Sequence, residues 1–185
     1  VAYYQGENKP AKPSQQKFEN LNLRSKKLLT LVPTSNDLIR NSSVTADAII
    51  RDDMMRQMRL RIDGAALYGA GTEYVPLGVK NTPGINKIDA GALLGPDDPG
   101  KIRGILKSKN VPMISIGWTF NSTVEAILYN LKTTTGAYIY RAEMNTGKLL
   151  GFPYVTTEQI AVGADAKGIS DIYFGDWSEF IMGEE

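Results

Sequence analysis

Cysteine and histidine are both absent from the 185 residues. Their absence rules out a disulfide framework, a thiolate nucleophile, a Cys/His zinc site and any triad built on histidine. An enzyme built from this chain would be left with carboxylate pairs, a lysine Schiff base or an oxygen-ligand metal site. Charge of one sign is also missing. Lys and Arg number 21 against 20 Asp and Glu, a net charge of +1, so there is no whole-chain field to draw the protein onto nucleic acid. No run of about 18 apolar residues occurs and the N-terminus lacks a charged-then-apolar signal pattern, so nothing marks membrane insertion or secretion. No internal repeat or low-complexity stretch is present.

What remains is ordinary globular composition, 42% hydrophobic and 22% charged, enough for one sizeable core with projecting parts. The chain opens at Val1, from which a processed or trimmed piece is expected. Residues 1–16 are polar and extended in character, with Pro10, Pro13, Lys9 and Lys12 and with Lys17 just beyond; few apolar residues are available to bury them. Phe18, Leu21 and Leu23, then Leu28, Leu29, Leu31 and Val32, alternate roughly as strand pieces around Arg24-Ser25-Lys26-Lys27. That basic cluster suits a solvated strand edge better than a phosphate site. Pro33 to Ile39 offers a capped helical turn, and Asn41-Ser42-Ser43 an N-cap for a long helix from Val44 to Tyr68. At 1.5 Å per residue it would span roughly 37 Å. Steps of 100° place Val44, Ala48, Met55, Met58, Ile62, Ala65 and Ala66 on one stripe, with Ile49, Leu60 and Leu67 nearly opposite. Two apolar stripes imply either packing on two sides or a long loop folded over the second.

Gly69-Ala70-Gly71-Thr72 has the glycines of a phosphate-binding loop but follows a helix, whereas a dinucleotide site needs the glycines ahead of one. A helix C-cap leading into an irregular loop through Pro76, Gly78, Pro83 and Gly84 is expected. Gly147-Lys148 likewise lacks the Ser or Thr of a P-loop, and Asn145-Thr146-Gly147 reads as a hairpin turn. Asp97 and Asp98 in Gly95-Pro96-Asp97-Asp98-Pro99-Gly100 fit turn and cap roles better than a hard cation, with so few oxygen ligands nearby. A short basic helix follows over Lys101 to Lys107, ended by Asn110 and Pro112. Met113, Ile114, Ile116 and Trp118 alternate as a strand, and Asn121-Ser122-Thr123 caps a helix to about Lys132. Tyr138-Ile139-Tyr140, Leu149 to Val155 and Ile169 to Trp177 supply further strands, the first two joined by the Asn-Thr-Gly turn. The sum is α+β, a long helix beside a sheet lobe.

Several local patterns, taken in order, resemble those of tailed-bacteriophage major capsid proteins of the Hong Kong ninety-seven type. They are Gly69-x-Gly71-Thr72 with Pro76-x-Gly78-Val79 after a long helix, Trp118-x-x-Asn121 opening a helix, and Leu131-Lys132 followed by Gly136-x-Tyr138. Leu150-Gly151-Phe152-Pro153-Tyr154-Val155 and Phe174-Gly175-Asp176-Trp177-Ser178 complete the series.

The resemblance implies a phage capsid fold. Residues 1–32 would be the second half of an extended loop and a strand into a peripheral domain. Residues 33–112 would be that peripheral domain with the long helix, and 113–185 a mixed α/β axial domain with the start of the return. In the family an N-terminal arm precedes this stretch and further strands follow it, so a fragment truncated at both ends is implied. The function implied is structural, with copies assembling as hexamers and pentamers into an icosahedral shell around a genome, and with no enzyme activity and no cofactor. Partners would be other copies of the chain, scaffold, protease and portal proteins during assembly, packaged DNA only indirectly, and no membrane. The location would be the virion capsid, assembled in the bacterial host cytoplasm. Subunit-interface candidates are Lys9, Lys12 and Lys17 on the loop and Ile49, Leu60 and Leu67 on the helix. Encapsulin-like nanocompartment shells share the architecture and stand as the alternative. A carboxylate- or lysine-dependent enzyme would need two carboxylates converging at about 5–10 Å, and the sequence spacing shows no such pair.

Overall fold

The computed structural model describes residues 24–33, 44–89, 94–109, 111–160 and 170–183, of which 44–46 by backbone alone. The lysines of the first 17 residues, the helical turn after Pro33 and the caps at Asn41 to Ser43 lie outside the described residues.

Helix α1 is Val44–Tyr68, with the bounds expected from its caps and apolar spacing. It ends because two glycines let the chain fold back on itself. The Gly69 N–H still bonds the Ala65 carbonyl at 2.8 Å, Gly78 N–H reaches the Gly69 carbonyl at 2.9 Å, and Ala70 bridges Leu77. A Cβ on Gly69 would stand 2.1 Å from the Pro76 carbonyl oxygen, and one on Gly78 2.4 Å from the Gly69 nitrogen. Only glycine allows backbones this close. The side-chain amide of Asn81, in a 3₁₀ turn at Val79–Asn81, donates to the carbonyls of Tyr68 and Gly69. It satisfies acceptors that a helix end leaves open.

Helix α2, Asp98–Ser108, begins earlier than the basic run suggested, with Pro99 in its first turn, where a missing N–H does no harm. The sheet lobe follows. Strand β1 is Ile116–Phe120, helix α3 Ser122–Asn130, helix α4 Arg141–Met144, and strands β2, β3 and β4 are Lys148–Leu149, Phe152–Thr156 and Tyr173–Asp176. The sheet order is β2-β3-β1-β4. β1 pairs with β3 in parallel and with β4 antiparallel, so Trp118 lies between Tyr154 and Phe174. Parallel neighbours need a crossover, and α3 and α4 lie on it, covering the core of Trp118, Phe120, Val124, Leu128, Tyr140, Met144 and Leu149. Trp118 stacks on Phe174 with centroids 4.0 Å apart, and its indole N–H donates to the Leu149 carbonyl at 2.9 Å.

Four expectations are corrected. Residues 28–32 form no strand, because no partner among the described residues completes a ladder. Tyr138 to Tyr140 make only one bridge, Lys132 to Tyr138, since Tyr140 turns into the core and starts α4. Asn145 to Gly147 therefore end that short helix. The hairpin turn is Leu150-Gly151, between β2 and β3, with φ of 51° and 83°; two residues in the left-handed region match the twist of the strands they join. Met113 and Ile114 precede β1, because the Asp176 carboxylate captures the N–H groups of Ile114 and Ser115.

Candidate interaction surfaces

Helix α1 shows one face to the chain and another to solvent. Ile50, Met54, Met58, Ile62 and Ala65 are half-buried, a line that steps by four or three residues and so stays on one side. Met55 and Ala48, expected on that stripe, are exposed and lie on its flank. Ile49 and Leu60 are separated by eleven residues, which returns the helix to within about 20°. They project nearly opposite the covered line and are 63% and 37% exposed. Leu67 lies on the same azimuth yet is only 7% exposed. The chain folding back after Gly69 brings Gly78 against the Leu67 backbone. The loop thus covers one end of the second stripe and leaves the other open.

The helix end is tied to the sheet lobe by one carboxylate. Asp171 accepts from the Tyr68 hydroxyl at 2.8 Å and from Lys80 Nζ at 2.6 Å, while Lys80 sits 5.0 Å over the Tyr68 ring. Tyr68 also meets Tyr173 edge-on at 6.2 Å. Burial, and next the bond to Asp171, raises the Tyr68 hydroxyl well above the usual phenol range, and burial pushes Tyr173 up to about 12. Between the helix, its following loop and the sheet lobe lies an open cleft of about 2760 Å³, with Ile62, Val79, Ile102 and Phe174 among its walls.

Asp98, Glu158 and Asp176 each accept from backbone N–H groups. Asp98 bonds Lys101 and the Gly95 N–H, which hold its carboxyl below the usual range. It stabilises a turn, as its sequence setting suggested. Glu158 accepts from Ser122 and Asn121, and its carboxyl is lowered for that reason. Asp176 accepts from the Ser178 hydroxyl and amide and from the amides of Ile114 and Ser115. Among the described residues no three acidic side chains gather as a metal site, and no helix is long and apolar enough to cross a membrane. The bracket at Asp176 and the tie at Asp171 were not found by sequence reasoning. Asp-x-Ser at Asp176 carries a local turn signal, whereas Tyr68, Lys80 and Asp171 are too far apart in sequence to give one.

A family model described as the phage capsid family matches residues 1–185. The major capsid protein of Klebsiella oxytoca phage phiKO2 is 31% identical over 194 residues, covering 100% of this chain and 45% of that protein. The capsid polyprotein of Pseudomonas phage PAJU2 is 26% identical over 189 residues, covering 94% of this chain and 28% of that protein. The chain thus spans less than half the length of either relative.

Proposed function

The chain belongs to the phage capsid family, and we propose that it is the shell-building part of a major capsid protein, which joins copies of itself in hexamers and pentamers around a phage genome. The observation that carries this reading is the open apolar line of Ile49 and Leu60, on a helix whose opposite side is already covered by its own chain. A closed shell needs heterologous contacts on several faces of each subunit, and an apolar face left exposed among the described residues supplies one. Leu67, buried beneath the post-helix loop, belongs to the fold. In this reading α1 and its loop form the peripheral domain and the sheet lobe the axial domain. Lys9, Lys12 and Lys17 belong to an extended segment that reaches a neighbouring copy. Scaffold, protease and portal proteins act during assembly in the bacterial host, and the virion capsid is the final location.

The test is the double substitution Ile49→Asp with Leu60→Asp. Exposed positions alter stability by about 0.5 kcal/mol or less, so the melt of the 185-residue chain should barely move. Particle counts by electron microscopy, made on the complete gene product with the same changes, should collapse. Normal particle numbers would remove this face from the account. A mutant chain without a cooperative melt would show that the line is core.

A further inference from the structure

The chain from Leu131 to Arg141 closes a small hairpin beside α3 and gathers two cations on one aromatic ring. Ile139 N–H bonds the Leu131 carbonyl at 3.1 Å, Thr133 N–H bonds the Ala137 carbonyl at 2.8 Å, and Lys132 bridges Tyr138 between them. Directly opposed residues of an antiparallel pair stand on one face, so the backbone itself holds Lys132 beside Tyr138. Lys132 Nζ lies 4.8 Å from the centre of the Tyr138 ring. Arg141, three residues on, places its guanidinium carbon 3.3 Å from the same centre and 4.7 Å from the centre of the Tyr129 ring. The lysine and the arginine thus share one ring, and the guanidinium meets two.

No described carboxylate offsets these two charges. The ion pairs among the described residues are Arg51 with Asp47, Lys80 with Asp171 and Lys101 with Asp98. Glu143, two residues past Arg141, accepts from the Gly151 N–H instead, and Glu125 from the Tyr154 hydroxyl. The hydrogen bond Arg141 does make is to a neutral acceptor, the Asn130 side-chain oxygen at 3.2 Å. Hydrogen bonding by Lys132, then the charge of Arg141, hold the Tyr138 hydroxyl below the usual phenol range. Both cations therefore act on the phenol oxygen as well as on the ring, and the phenol proton is left to donate. Rings against the face of a guanidinium leave its N–H groups in plane at the edge, and side chains ordered in advance lower the entropy cost of binding. Lys132 is exposed and Tyr138 is 40% exposed, so a solute reaches them. A carboxylate carries one charge, which one cation matches; two cations and a hydroxyl donor suit a group with up to two charges and three free oxygens. We propose that Lys132, Tyr138 and Arg141 form a binding site for a phosphate group, with the ammonium, the guanidinium edge and the phenol O–H as its donors. The group is a free phosphate ion or a backbone phosphate of nucleic acid, which share this chemistry. The proposal does not rest on association between copies and uses none of the α1 face.

The test is an NMR titration of the isotope-labelled chain with sodium phosphate at constant ionic strength, with sodium chloride as the reference. Saturable shifts are expected in the amides from Lys132 to Arg141 and in the Arg141 side chain. Lys132→Gln, at an exposed position, should weaken binding by about tenfold or more, the loss of one charge-assisted hydrogen bond. Arg141→Lys keeps the charge but loses the planar fork, and should weaken it as well. Lys107→Gln removes the same charge from an exposed position on α2 and should leave binding unchanged. Shifts that rise without saturating, or that weaken equally in the two lysine variants, are general screening and overturn the proposal. A short single-stranded oligonucleotide without a terminal phosphate then assigns the source. Displacement of phosphate from these residues makes the group the nucleic acid's, and phosphate that stays bound makes it the free ion; either result upholds the site. Binding of neither overturns it.

Discussion

The carboxylate of Asp176 accepts bonds from the Ser178 hydroxyl and from the N–H groups of Ile114, Ser115 and Ser178, which together lower it from 3.8 to about 2. A carboxyl lowered on folding stabilises the fold fully above its unfolded value and loses that effect as pH falls through its folded value. Asp176→Asn should therefore melt below the parent at neutral pH, and the two melting curves should converge between about pH 4 and pH 2. A gap that persists unchanged at pH 2 would contradict the electrostatic account. Two glycines give opposite outcomes from one kind of change. Gly69→Ala forces a methyl onto the Pro76 carbonyl and should cost about 1–3 kcal/mol or more. Gly104→Ala sits within α2 with nothing within 4 Å, and should gain about 0.5–1 kcal/mol. Denaturant melts of both variants check the pair.

At the level of elements, Asn121 joins three segments. Its side-chain oxygen accepts the Thr123 N–H at the start of α3, and its amide donates to the Ile160 carbonyl and to Glu158. Asn121→Ala removes a cap worth about 1 kcal/mol and leaves a buried carbonyl unpaired, for about another 1–3 kcal/mol. Asn121→Asp should recover only the cap, and urea unfolding separates the two. Elements governed by local chemistry were legible in the sequence: α1 from its spacing, α3 from its cap, and β1 from Ile116 and Trp118. The glycines at 69 and 78 were read correctly as a helix stop and loop, although their close backbone contact shows only in three dimensions. Strand pairing was less legible. Asn145-Thr146-Gly147 carries a stronger turn signal than Leu150-Gly151, yet the latter makes the hairpin, because Tyr140 and Met144 must enter the core and so need a helical turn between them. Residues 28–32 read as a strand, but a ladder depends on a second segment that local sequence does not identify.

On the scale of the whole molecule, a sheet lobe with a dense aromatic core carries a long helix that is covered on one side only. The two are tied through Asp171 and flank an open cleft. Among the described residues, nine of the eighteen exposed large apolar side chains lie on the free face of α1, on residues 28–32 and on residues 180–182, and the other nine, Tyr74, Leu77 and Val155 among them, lie elsewhere. The second stripe was legible in the sequence as a choice between a covering loop and a partner; the loop covers it at Leu67, while Ile49 and Leu60 are exposed. The central claim is that this open face is buried when copies meet. The most direct measurement is a cryo-electron microscopy reconstruction of the complete gene product expressed alone. Closed particles in which Ile49 and Leu60 are covered by an adjacent subunit are predicted; a monodisperse monomer, or particles that leave both side chains in solvent, would contradict the account.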